Sequence, residues 1–182
     1  MFMKHQRKSH TELSNIYFWT ATIHKWKHLL NDDLNKQLII DYINKLSSDG
    51  LITVYAFVIM PNHIHLIWQQ NKKNGKESPF GSFLKYTAHQ LLKILKEKGA
   101  AGEFAVQAAN KSHEIWQRDS LAIEIFSRKV AEQKLNYIHA NPIKGIWKLA
   151  ESEIDYFYSS ARFYETGIDD FGFLKNIFIE LE

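Results

Sequence analysis

The sequence predicts an α+β domain, a mostly antiparallel sheet with helices packed on one face, and three observations carry that expectation. Strand-like and helical stretches follow one another in mixed order, without strict β–α alternation. Two apolar runs, 51–60 and 63–70, are separated only by Pro61 and Asn62, which makes them the arms of an antiparallel hairpin. Helix signals with readable ends stand on both sides of that hairpin.

Each element has its own warrant. Asn15 to Ile23 is rich in aromatic and β-branched residues and reads as a first strand. A basic loop follows, with Lys25, Trp26 and Lys27 between His24 and His28. From Asp32 or Asp33 to about Ser47, the apolar residues Leu34, Leu38, Tyr42 and Leu46 recur every four positions. Acidic residues at the start and Gly50 just past the end make this a helix. Leu51 to Met60 is a continuous apolar run suited to a central strand, and His63 to Gln70 is its return. Asn71 to Pro79 is a polar loop, and a second helix runs from Ser82 to Lys98, closed by Gly99. Ala100 to Ser112 shows no clear period, whereas Glu114 to Ile125 includes a strand-like portion. Ser127 can cap a third helix that must end near Asn141, because Pro142 follows. The resulting order matches the ferredoxin- or RRM-like sandwich, although order alone does not fix function.

Composition narrows the classes. With 182 residues, the chain suits one domain, and 45% hydrophobic with 24% charged residues is ordinary for a globular protein. A net charge of +3 permits a nucleic-acid partner without demanding one. The absence of cysteine excludes disulfides, zinc ribbons and thiol catalysis. The apolar run 51–60 is about half of what a membrane-spanning helix needs. Residues 1–10 lack the apolar middle of a secretory signal, so a soluble cytoplasmic protein is expected. We divide the chain into a basic N-terminal arm, 1–14, a central domain, 15–167, and a C-terminal tail, 168–182. The arm carries Lys4, His5, Arg7, Lys8 and His10.

The strongest chemical signal is Tyr55-Ala-Phe-Val-Ile-Met-Pro-Asn-His-Ile-His-Leu-Ile-Trp68. Residues two apart on a strand share a face, so His63 and His65 project side by side while Ile64 and Leu66 point into packing. Two imidazoles on one rigid strand suit a divalent metal. A second signal is Gln133-Lys-Leu-Asn-Tyr-Ile-His-Ala-Asn-Pro-Ile-Lys144. On a helix Tyr137 and Asn141 lie one turn apart, beside an apolar stripe of Ala131, Leu135 and Ile138. The Asn141 side-chain oxygen can complete the metal's protein ligands.

Met60-Pro-Asn-His-Ile-His65, with Tyr137 and Asn141 ahead of Pro142, resembles the single-tyrosine HUH transposases of the IS200-like family. The likeness is greatest to the REP-associated tyrosine transposase group. It continues through Ile115-Trp-Gln-Arg-Asp119 and Asp155-Tyr-Phe-Tyr-Ser-Ser-Ala-Arg162, and spans about Asn15 to Gly167. The resemblance implies a single-stranded DNA endonuclease and transposase that cuts and rejoins beside hairpins. Tyr137 would be the nucleophile of a covalent 5′-phosphotyrosine, with His63, His65 and Asn141 as metal ligands. The resemblance also implies magnesium or manganese, a hairpin-bearing single-stranded DNA partner and a homodimer. For DNA contact we name Lys25, Trp26, Lys27, Trp116, Arg118 and Lys134, whose chemistry suits phosphate pairing or base stacking. Two other readings stay open: a non-catalytic single-strand-binding module, and a metal-dependent nuclease that activates water.

Overall fold

A computed structural model describes residues 11–118 and 120–181, so the basic residues 4–10 lie outside the described part. The sheet has four strands: β1 (Ile16–Thr22), β2 (Ile52–Met60), β3 (His63–Gln70) and β6 (Leu121–Glu124), in the order β2-β3-β1-β6. Every pairing is antiparallel, as expected. A separate two-stranded ribbon, β4 (Ala105–Ala108) with β5 (Lys111–His113), occupies the stretch where the sequence shows no period.

Three longer helices cover the sheet. α1 (Asp33–Ser48) starts where the Asp32 side chain accepts from the Leu34 amide, so the first of the two candidate aspartates is the cap. Its buried face differs from the expected four-residue stripe. Leu34 is 71% exposed, and Ile39, Ile40, Ile43 and Leu46 carry the packing with Tyr42. α2 (Pro79–Glu97) begins three residues earlier than expected, capped by Ser78 with Pro79 at its first position. α3 (Arg128–Ala140) is capped by Ser127, and a short 3-10 turn, Asn141–Ile143, follows it.

Strand register decides which helix meets which face. Trp19 lies opposite Leu66 and Ala21 opposite Ile64, and these residues join Ile39, Ile43, Phe83 and Leu91 in one core beneath α1 and α2. Phe18 lies opposite Ile67, Thr20 opposite His65 and Thr22 opposite His63. That second face meets Ala131, Leu135 and Ile138 of α3. Thus the α+β class and the antiparallel sheet hold, but the expectation of helices on a single face is corrected: α3 lies on the other. The physical reason is that β2 is apolar on both faces, with Val54, Phe57 and Ile59 in one core and Ala56, Val58 and Met60 in the other, and Phe18 and Ile67 extend the second, so each face requires a cover.

The outer edge of β2 is also covered. Ser159 and Leu174 form bridges to Val58 and Val54, and the Lys175 amide donates to the Val54 carbonyl. Within the stretch set apart as a tail, Phe173 and Ile177 are buried in the two cores, so most of it is packed against the domain. Two short helices complete this region, α4 (Ala161–Thr166) and α5 (Ile177–Glu180). No helix among the described residues is long and apolar enough to cross a membrane.

Candidate active site

A tight turn at Pro61–Asn62 delivers His63 and His65 to the end of β3, both facing α3. Their rings are 4.7 Å apart between centroids, and both residues are more than nine-tenths buried. From α3, Tyr137 brings its ring to 5.2 Å from His65 and 5.8 Å from Phe18, yet the residue is 51% exposed. The helix stripe explains this: Leu135 and Ile138 face the sheet, which rolls Tyr137 to the rim. Together Phe18, Thr20, Trp26, His63, His65, Lys134, Tyr137, Asn141 and Trp147 line one cleft of about 480 Å³, along with Leu121 and Ile123.

Hydrogen bonds fix the imidazoles. Asn62 donates its amide NH2 to the Trp26 carbonyl at 3.3 Å, which leaves its Oδ1 facing His63 Nδ1 at 2.6 Å. An amide oxygen only accepts, so His63 carries its proton on Nδ1 and keeps a lone pair on Nε2. His65 Nδ1 meets Thr20 Oγ1 at 2.7 Å. A hydroxyl can accept or donate here; the tautomer that donates from Nδ1 to Thr20 is the one that leaves His65 Nε2 a bare lone pair. This atom is buried without a hydrogen-bond partner among the described residues.

Burial keeps both rings neutral. Desolvation pushes the His63 pKa down to about 4, against a smaller raising contribution from the Asn141 side chain. It pushes His65 down to about 3, helped by the charges of His63 and Lys134. Neutral imidazoles with free lone pairs are the form a metal ion binds. The orphaned Nε2 of His65 fits that role, since an unmet buried acceptor otherwise costs about 1–3 kcal/mol. Among the described residues, no group of three or more His, Cys, Asp or Glu side chains could hold a metal. Any third protein donor here must be of another type. Asn141 qualifies: its NH2 donates to the Tyr137 carbonyl at 2.9 Å, leaving the amide oxygen to serve the cleft. The same bond caps the end of α3, so the residue is also a helix terminator.

The remaining sequence candidates divide. Lys134 lines the cleft with its ammonium 4.9 Å from the centre of the Phe18 ring, and Trp26 stands at the mouth, 58% exposed. Lys25 adjoins it in a tight left-handed turn. Lys27, by contrast, turns to Glu103 at 2.9 Å. Trp116 is a core residue, 6% exposed, whose indole donates to Thr87 Oγ1. Burial therefore removes it from the DNA-contacting set. Arg118 reaches Glu114 and lines a different groove, beside α2. Sequence reasoning missed Thr20, Asn62 and Trp147. The first two had a signal: Thr20 sits on the alternating positions of β1, and Asn62 adjoins the histidine pair.

No protein-family model and no curated protein matches the chain. Among solved structures it is similar to a REP-associated tyrosine transposase bound to a REP hairpin. The two are 19% identical, the match covers 95% of this chain and 93% of that one, and the TM-score is 0.63. That likeness shows a shared fold, so the resemblance read from the Met60–His65 string extends to the architecture of nearly the whole chain. A candidate transposase from Deinococcus radiodurans is more distant, at 18% identity, 75% and 95% coverage and a TM-score of 0.43, and carries no argument.

Proposed function

We propose that this chain is a REP-associated-type HUH transposase that cuts and rejoins single-stranded DNA beside a hairpin. The observation that carries the reading is one cleft holding an exposed tyrosine on a helix against two buried, neutral histidines on a strand. The fold it shares with a transposase bound to a REP hairpin supports the same substrate class.

In this reading Tyr137 Oη attacks the phosphorus, the bond to the 3′-oxygen breaks, and the phosphoryl group stays on the phenol as a 5′-phosphotyrosine. The phenol proton leaves to solvent, and the departing 3′-oxygen takes one up as a hydroxyl. Reversal by an incoming 3′-hydroxyl rejoins the strand and restores the tyrosine. His63, His65 and Asn141 would hold magnesium or manganese, which supplies Lewis-acid relief of phosphate charge. Thr20 and Asn62 fix the two rings from behind, so that both Nε2 atoms keep their direction. The Lys134 ammonium, one turn before Tyr137, favours the phenolate and the bound phosphate. Storing the bond on an enzyme oxygen is what separates strand transfer from hydrolysis.

The test is covalent trapping of labelled hairpin-bearing single strands with magnesium or manganese on a denaturing gel. A metal-dependent adduct that disappears in Tyr137→Phe is the expected result. Cutting that persists in Tyr137→Phe would replace this reading with a water-activating nuclease.

A further inference from the structure

Two tryptophans from separate segments converge on His63. The Trp26 ring, from the connection between β1 and α1, lies 6.2 Å from the His63 ring. The Trp147 ring, from the segment after α3, also lies 6.2 Å from it, and is backed by His28 at 5.5 Å. Both line the cleft that holds Tyr137. Neither is placed by an easy backbone. Lys25 and Trp26 have φ of 54° and 58°, and Trp147 stands between Gly145 at 64° and Lys148 at 42°. Left-handed conformations at three non-glycine residues carry a steric penalty, and such penalties gather where a side chain must be held in a set place. Trp26 is 58% exposed, so burial does not offset its penalty, and its ring remains open to solvent at the cleft.

Resting on the reading above, we propose that Trp26 and Trp147 form a stacking platform for an unpaired base next to the cleaved phosphate. The occupant follows from the chemistry. Two indole rings in a cleft lined by Lys134, with the exposed Lys25, Lys144 and Lys148 within three residues of them along the chain, match a base and its phosphates. Among the described residues, none of these four lysines is held in an ion pair with a carboxylate. A base inside a duplex is already stacked on both neighbours and has no open face to give. The platform therefore selects strand that is single at the point of cleavage, and it does so without reading hydrogen-bond patterns.

The test compares two labelled strands of about twelve units, within the range of common single-strand site sizes. One is oligo-dT, and the other has the same phosphates with base-free tetrahydrofuran spacers. Fluorescence anisotropy with magnesium in the Tyr137→Phe background measures binding without cutting. The parent is expected to prefer the base-bearing strand. Trp26→Ala and Trp147→Ala should each lower that preference by roughly 5- to 100-fold while leaving spacer-strand affinity and its salt dependence unaltered. Trp147→Phe, which keeps a packing ring, should retain most of the preference and guards against misfolding. Equal affinity for both strands in the parent, or an undiminished preference in the Trp26→Ala/Trp147→Ala double variant, overturns the platform. Failure of the parent reading shows separately, as absence of the Tyr137 adduct in the trapping gel with the base preference intact.

Discussion

The two faces of the sheet are built from the same strands and solve different problems. Under α1 and α2, Trp19, Trp68 and Phe83 are fully or almost fully buried and pack at 5.1–6.1 Å between ring centroids, the two indoles stacked and the phenyl ring edge-on to both. Under α3, the matching positions of β1 and β3 hold Phe18, Thr20, His63 and His65. There the covering helix leaves a cleft at one end. The first face is closed over by its helices, although the Trp19 indole N–H inside it has no partner among the described residues. The second keeps an unmet imidazole nitrogen, and among the described residues the three histidines whose pKa values are depressed, His63, His65 and His139, lie on this side or at its margin. The difference shows where the molecule closes its packing and where it leaves polar groups gathered at a cleft.

The largest effect is expected on the closed face. Phe83→Ala removes a fully buried ring that touches Trp19, Trp68 and Trp116, and should cost about 3–5 kcal/mol of unfolding free energy in urea titration. His65→Leu should cost far less. It removes a buried nitrogen with no partner together with the Thr20 hydrogen bond, so unfolding free energy without metal should move by no more than about 1 kcal/mol. The same variant should lose the rise in melting temperature that manganese gives the parent, and with it adduct formation. Equal losses of stability in both variants would erase the distinction between the faces.

Acid should probe the cleft side selectively. An unfolded histidine ionises near pH 6.5, whereas burial holds His63 at about 4, His65 at about 3 and His139 at about 4. Between these limits the unfolded chain binds more protons than the folded one, so stability falls as pH drops from 6.5 towards 4. Each histidine should contribute on the order of 1–2 kcal/mol of that fall by pH 5. Glu114 and Asp32, whose pKa values are lowered, act in a separate window below about pH 4.5, where their protonation removes stability. Denaturant titrations at pH 7 and pH 5 measure the first window. His139→Gln, which retains a polar partner for Ser160 Oγ, should reduce its slope by about a third.

How much of this was legible depends on whether the signal was local. The span of β3 and the limits of α3 were readable because alternation, a Ser127 cap and a Pro142 stop are written in neighbouring residues. The pairing of His63 with His65 followed from strand geometry, and Tyr137 with Asn141 from helix geometry. Which face α3 would cover was not local. It follows from the register of β1 against β3 and from β2 being apolar on both faces. The ribbon at 105–113 escaped because its residues are half-exposed and show no apolar alternation. Ser78–Pro79 was a helix start in plain view, passed over because the preceding loop is so polar. Trp116 and Trp26 have the same side chain and opposite fates. The bridge from Ile23 to Trp116, its bond to Thr87 and its place beside Phe83 in the core bury the former.

The smallest predicted effect is the most discriminating for the cleft. Lys134 stands one turn before Tyr137, over the Phe18 ring, and its charge is felt at His65. If it supports the phenolate and the phosphate, Lys134→Ala should slow adduct formation by about 10-fold at saturating DNA, the scale of one charge partner in a partly shielded site. Because the ammonium is partly solvated, unfolding free energy should move by no more than about 0.5 kcal/mol. Lys134→Arg restores the charge and should recover part of the rate. Loss through weaker binding alone, cured by raising the DNA concentration, would make Lys134 a contact to the strand and leave the tyrosine without a cationic helper on its own helix.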